Sequence, residues 1–472
     1  MRKLLILSFF LSHFLFGGVK THILSDEACF DGKDIFLHGH VKISSSLGSL
    51  LSEKAIVTDI KSEKNDTSFL LFLEGDVTTN LSPNIKVTSD VAKLAFPERS
   101  FSFSSYDEKH PTVLTTKTSF KDASSPLKVI CQKMEFDFEK KASSEYPMKK
   151  FLFEENVAID FDKDWTLRAH KVSFSPKKED KDILFLTAKS ENEPCRITYL
   201  DNLLFCSSGE IDLQEKELFF ENAKGHISSF NLCDSKFINF SSKKLSYEHL
   251  AHKLLFKDNV HIDAPGLALI ETDELQFYEN QRLPQKELKK ICLLGNSLIY
   301  LYDITGQMTS HLICDGSLIV DNELKTVSAH SSHYNETKFP IIYSDDRLTV
   351  HTQKALLKYE QEKNHYFPTQ LVLDDGVHFF TKSFPEKNSF GIADSAILDP
   401  KEKLIRLIAG KEKRVFFWQE DDSLKLSAPE IQIKQMEDKS EYIQGIGDVR
   451  FSFDFDERKF LSEIFFKPLD KK

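Results

Sequence analysis

A four-residue pattern of a small residue, a polar residue, any residue and an apolar one returns along almost the whole chain and limits what it can fold into. It reads Ser52-Glu53-Lys54-Ala55, Ser89-Asp90-Val91-Ala92, Cys131-Gln132-Lys133-Met134, Ala169-His170-Lys171-Val172, Ser208-Gly209-Glu210-Ile211, Ser242-Lys243-Lys244-Leu245, Thr272-Asp273-Glu274-Leu275, Cys314-Asp315-Gly316-Ser317, Thr352-Gln353-Lys354-Ala355, Ala393-Asp394-Ser395-Ala396 and Ala428-Pro429-Glu430-Ile431. Successive copies start 30 to 42 residues apart. One such tetrad carries little, but a near-constant step over so many copies marks a single structural unit stacked on itself.

A pentad of apolar, any, Gly or acid, polar or Gly, and valine precedes several tetrads: Leu37 to Val41, Leu73 to Val77, Phe153 to Val157, Phe256 to Val260 and Leu373 to Val377, with a degenerate copy at Gly445 to Val449. The gap from the first four valines to the next tetrad holds turn residues, such as Ser82-Pro83-Asn84 and Asp263-Ala264-Pro265-Gly266. The repeating unit therefore reads strand, turn, strand. Phenylalanine, 41 residues in all, falls in alternating runs such as Phe101-Ser102-Phe103 and Phe136-Asp137-Phe138. Period two means strands with one dry face. The expectation is an all-β solenoid of about eleven hairpin repeats forming one elongated body over residues 35–455, with a lead-in at 19–34 and a tail at 456–472.

Arg2 and Lys3 precede an apolar run from Leu4 to Phe16 and then Gly17-Gly18, the layout of an export signal over residues 1–18, cleaved or retained as an anchor. The run is shorter than the ~20 residues of a spanning helix. A net charge of −11 without a basic cluster argues against nucleic acid as a partner. Of the seven cysteines, Cys131 and Cys314 stand in the small slot of the tetrad, which reads them as buried small residues, and Cys195 with Cys206 is the one pair worth testing for a disulfide. The His38/His40, His249/His252 and His330/His333 spacings lie on strands or turns, so no metal is expected. No cofactor or nucleophile motif occurs, and Asp374-Asp375 and Glu420-Asp421-Asp422 read as solvated turn acids. The chain is expected to have no enzymatic activity and no cofactor.

An export leader, a pentad such as Leu73-Glu74-Gly75-Asp76-Val77, a turn, and a tetrad such as Ser89-Asp90-Val91-Ala92 together resemble the OstA-like proteins of lipopolysaccharide transport (LptA, LptC and the periplasmic part of LptD). The resemblance spans about residues 35–455, is clearest at 37–96, 151–174 and 254–278, and blurs at 297–345. It implies a β-jellyroll open along one side like a folded taco, whose apolar interior shields lipid acyl chains. It also implies a periplasmic or envelope location in a Gram-negative-type bacterium, lipopolysaccharide or a related lipid as ligand, and other β-jellyroll transport proteins as partners. The chain departs from the family in carrying far more units than a single LptA-like module and in lacking the membrane strands of an LptD barrel.

Counting by twos from the pentad valines assigns one face: Leu37, Val41 and Ile43; Leu71, Leu73 and Val77; Phe153, Val157 and Ile159; Leu254, Phe256, Val260 and Ile262; Leu371, Leu373, Val377 and Phe379. These are the candidate groove residues. A hairpin repeat cannot bury its own apolar face, so stacked copies must share a continuous interior. Three readings stand at this point: a periplasmic lipid-binding bridge docking end to end or with itself through strand edges, an exported structural β-solenoid or adhesin with a filled core, and a carbohydrate-active β-helix enzyme. The last is disfavoured because the polar tetrad position varies among acids, Lys, Gln and His.

Overall fold

The structure, a computed structural model, describes residues 22–450 apart from the segments 46–47, 64–65, 83–84, 97–99, 117–126, 139–147, 163–164, 177–181, 213–214, 229–236, 280–287, 304–305, 333–339, 363–364, 384–386, 420–424 and 437–440. The export signal and the tail expected at 456–472 lie outside the described residues. The fold is all-β, and the described strand pairings are antiparallel. No helix long and apolar enough to cross a membrane occurs among the described residues. By its internal contacts the chain divides into two units, Met1–Ile227 with Lys244–Ala251, and Ser228–Lys243 with His252–Lys472. The stretch read as a lead-in carries two strands, His22–Leu24 and Glu27–Phe30, both paired to Ile35–Ser45.

Each repeat strand is bent in the middle, and the sequence motifs mark the bend. Ile35–Ser45 pairs with Gly48–Glu63 in two stretches, 35–38 against 57–54 and 41–45 against 52–48, so Gly39 and His40 oppose the single residue Glu53. The same two-against-one corner recurs at Gly75-Asp76 against Asp90, Glu155-Asn156 against His170, Asp258-Asn259 against Asp273, and Asp375-Gly376 against Gln353. Pentads and tetrads are thus one feature seen on alternate bent strands, or rungs. The paired residues of the pentad corner have positive φ, including 81° at Gly75, 44° at Asp76, 64° at Asp375 and 92° at Gly376, the region that glycine, asparagine and aspartate tolerate best.

The register also explains the tetrad's composition. The residue in the small slot turns its hydroxyl or thiol back onto the carbonyl two residues on: Ser52 Oγ to Lys54 at 2.9 Å, Ser89 Oγ to Val91 at 3.0 Å, Cys131 Sγ to Lys133 at 3.1 Å and Thr352 Oγ1 to Lys354 at 3.0 Å. The next residue, where it is aspartate, accepts a backbone N–H from the corner of the following rung. Asp90 does so from Tyr106 at 2.7 Å, Asp273 from Asn296 at 2.8 Å and Asp394 from Gly410 at 2.5 Å. A corner breaks the ladder and strands these donors and acceptors, and the tetrad side chains satisfy them.

Two tetrads need correcting. Thr187, Leu186 and Ile211 fix the register of Ser208–Asp212, which puts Gly209 in the apolar slot opposite Leu186 and Phe220 and makes Cys206-Ser207-Ser208-Gly209 the corner, two residues before the tetrad read from sequence. A Cβ at Gly209 would meet the Phe220 ring at 2.7 Å, so only glycine fits a slot that is apolar elsewhere. At Cys314 the corner holds one extra residue, and Leu318 rather than Ser317 takes the apolar slot opposite Leu293.

Among the described residues, four rungs carry insertions at the corner that split them into two halves: Ser100–Ser104 with Thr112–Thr116, Asp182–Thr187 with Cys195–Tyr199, Thr326–His330 with Ile341–Ser344, and Leu404–Ile408 with Val415–Gln419. Two further pentad corners, at Asn222 and Gly295, have positive φ but lack the valine.

Candidate functional site

Of the groove residues predicted in the first unit, Leu37, Val41, Ile43, Leu71, Leu73, Val77, Phe153, Val157 and Ile159 are all buried. In the second unit Phe256, Val260, Ile262, Leu373, Val377 and Phe379 are buried, while Leu254 and Leu371 are half-buried. Asp76 and Asn259 are exposed on the opposite parity. In each unit the pentad valines form part of a buried column beside the corners, each opposite a small tetrad residue: Val77 opposite Ser89, Val157 opposite Ala169, Val260 opposite Thr272 and Val377 opposite Ala393.

What lies between the walls differs along the chain. In the first unit phenylalanine rings meet in series: Phe103 to Phe136 at 6.1 Å between centroids, Phe136 to Phe153 at 5.8 Å, Phe153 to Phe151 at 4.8 Å and Phe151 to Phe174 at 5.3 Å. These edge-on and stacked contacts run between neighbouring positions along one wall, and the rings, 0 to 3% exposed, leave no open space against themselves.

In the second unit the walls border a half-open cavity of about 670 Å³, lined by residues between 301 and 433. That volume lies within the range of small-molecule sites. Its lining is leucine, valine, isoleucine, alanine and phenylalanine, with Tyr343, Arg347, Thr352, Thr381 and Ser389 as polar members. The Thr352 hydroxyl lies 3.0 Å from the Lys354 carbonyl and 2.9 Å from that of Asp374, and Ser389 Oγ accepts from Gln419 Nε2 at 3.3 Å, so these groups are engaged within the protein. The remaining polar groups gather at the turn 344–348. There Asp345 accepts the backbone N–H groups of Arg347 and Leu348 and the Tyr343 hydroxyl at 2.7 to 2.8 Å. Burial, reinforced by that carboxylate, pushes the Tyr343 phenol up to about 12. The site is an apolar chamber with a polar turn on its lining, and an apolar cavity of this kind favours apolar guests over water.

Only Leu371, Leu373, Val377 and Phe379 of the predicted groove line this chamber. Counting from pentads missed the rest, among them Leu312, Leu318, Val327, Ile341, Val350 and Phe417, because Cys314 carries an extra residue and the rungs 326–344 and 404–419 carry insertions, so neither presents a pentad. The signal present was alternation alone, as in Leu348-Thr349-Val350.

The opposite face of these strands is also covered. Phe380, Phe390 and Trp418 are buried there, Phe390 and Trp418 stacked at 4.8 Å, and His378 lies opposite His351. Asp374 and Asp375, read as turn acids, flank a corner instead. Asp375 pairs with Lys354 at 2.6 Å, and Asp394 on the neighbouring rung pairs with Lys413 at 2.7 Å. Burial pushes the Asp394 carboxyl up, and the Lys413 ammonium and Gly410 N–H together bring it below its usual value. Among the described residues no group of His, Cys, Asp and Glu is arranged to hold a metal ion.

No family model matches the chain, and no curated protein matches it.

Proposed function

We propose that this protein is a lipid-binding β-jellyroll of lipopolysaccharide transport or outer-membrane assembly, working in the cell envelope. It shields acyl chains in its apolar interior while the polar part of the lipid stays outside. The observation that carries the reading is the chamber of about 670 Å³ with its aliphatic lining, joined to the motif resemblance to the OstA-like proteins. Docking with similar β-jellyroll domains through terminal strand edges belongs to the same reading. Edge strands offer unpaired N–H and C=O groups that another strand can extend.

A filled structural solenoid is the second reading, favoured by the ring series from Phe103 to Phe174. Photo-crosslinking residues at Val77, Val260 and Val377, with Asp76 and Asn259 as outward controls, separate the two. Lipid adducts at Val377 and none at the controls are expected in cells. Adducts at none of the valines would leave the structural solenoid, and adducts on both parities would break the inward assignment.

A further inference from the structure

Independently of the lipid reading, the corner column brings two thiols face to face. Residues of this column point into the interior, and four of them are cysteines: Cys131, Cys195, Cys206 and Cys314. Cys131 lies opposite Thr112 and Cys314 opposite Ser297, whereas Cys195 and Cys206 are direct partners across the strands Cys195–Tyr199 and Asn202–Cys206. Both are buried, at 0% and 1% exposure. Their side chains share a hydrogen bond. Directly opposed residues of an antiparallel pair have Cα atoms about 4.5–5.5 Å apart, inside the roughly 4.4–6.8 Å that a disulfide spans. The other described cysteines have no such partner: Cys29 opposes Phe36, and Cys292 opposes Gln276 and Ile319.

We propose that Cys195 and Cys206 are a disulfide site, and that the bond staples the rung carrying the inserted corner 188–194 to the rung that follows it. During folding, before the two rungs close, the Cys195 thiolate is open to an oxidant. It attacks one sulfur of a disulfide oxidant, a glutathione disulfide or an oxidised dithiol protein, forming a mixed disulfide and expelling one thiolate. Cys206 then loses its proton and attacks Cys195 Sγ, releasing the second thiolate. Two protein thiols are oxidised, one oxidant disulfide is reduced to two thiols, and the two protons pass to the leaving sulfurs. Burial of both sulfurs confines the exchange to folding, before the rungs close.

The test is peptide mapping of the full chain refolded in a buffer of reduced and oxidised glutathione and then alkylated. A peptide pair joined through Cys195 and Cys206 is expected, with the other five cysteines alkylated. Dithiothreitol should lower the Tm of the wild type and leave that of a C195S/C206S variant unmoved. Serine already fills the Cys206 slot at Ser52 and Ser89, and Thr112 and Ser297 carry hydroxyls in the Cys195 slot, so the variant's side chains suit the corner. Alkylation of both thiols, a bridge from either one to a different cysteine, or an equal dithiothreitol response in the variant would overturn the proposal.

Discussion

Two stretches of interior share one rung plan and differ in what fills them. In the slot beside each corner, the first unit runs Ala92, Phe103, Met134, Phe153 and Val172 from rung to rung. The corresponding slot in the second unit runs Leu318, Ala329, Ala355, Leu373, Ala396 and Leu407. In the first stretch large side chains on adjacent rungs touch along one wall, and their rings are buried at 0 to 3% exposure. In the second, Ala329 and Ala355 sit side by side, both on the wall of the chamber. Two neighbouring methyl groups cannot reach the facing wall, so the volume stays open. The difference teaches that one backbone device serves as solid core or as container according to the size of a single column of side chains.

The sharpest way to break this comparison is to truncate each interior. Phe153→Ala removes a ring, 1% exposed, from the centre of the aromatic series and should cost about 3–5 kcal/mol in urea denaturation. Leu373→Ala, on the chamber wall, should cost nearer ~2 kcal/mol, because a side chain bordering a void has fewer contacts to lose. Equal losses would mean that the chamber closes in solution.

Enlargement should reverse the ranking. Ala92→Phe, at a position with 0% exposure, forces rings together and should destabilise by about 1–3 kcal/mol. Ala355→Phe, in the same slot beside the chamber, should change stability by less than about 1 kcal/mol and reduce lipid capture at Val377.

The outer layer of the hollow region supplies a pH test. Burial, with His351 as the lesser cause, lowers the His378 imidazole from 6.5 to about 4. A histidine held neutral in the fold contributes its full stability above pH 6.5, loses it as pH falls from 6.5 to about 4, and adds no further pH dependence below that. The loss should amount to about 1–3 kcal/mol, and His378→Gln should flatten the profile across that window. The smallest effect belongs to a corner: Ser89→Ala deletes the hydroxyl hydrogen bond to Val91 and should cost about 0.5–1.5 kcal/mol. A larger loss would make the corners, rather than the column beside them, the main source of rigidity.

The corners were legible because they are local. Positive φ selects residues such as Gly75, Asp76, Asp375 and Gly376, and the stranded carbonyl selects Ser52, Ser89 or Thr352, so both motifs surface as short patterns wherever the chain bends. Legibility failed where a local rule gave way to a contact from another rung. Gly209 shrinks to admit Phe220, which shifted the apparent tetrad by two residues. The insertions 188–194 and 331–340 hide the pentad altogether, although the rungs on either side of them keep their register. The role of the acids at Asp90, Asp273 and Asp394 was not legible, because their partners are backbone N–H groups on the following rung, 16 to 23 residues away.

By itself the sequence determined the all-β class, the recurrence of one strand unit and the alternation of apolar and polar residues along the pentad strands, since these follow from period two and from backbone geometry set within a few residues. Only the tertiary structure decided that the rings from Phe103 to Phe174 meet in one buried row, that the space beside Ala329 and Ala355 remains open, and that Cys195 faces Cys206. Those outcomes depend on register between rungs and on the summed reach of side chains from several of them, and no single repeat encodes either.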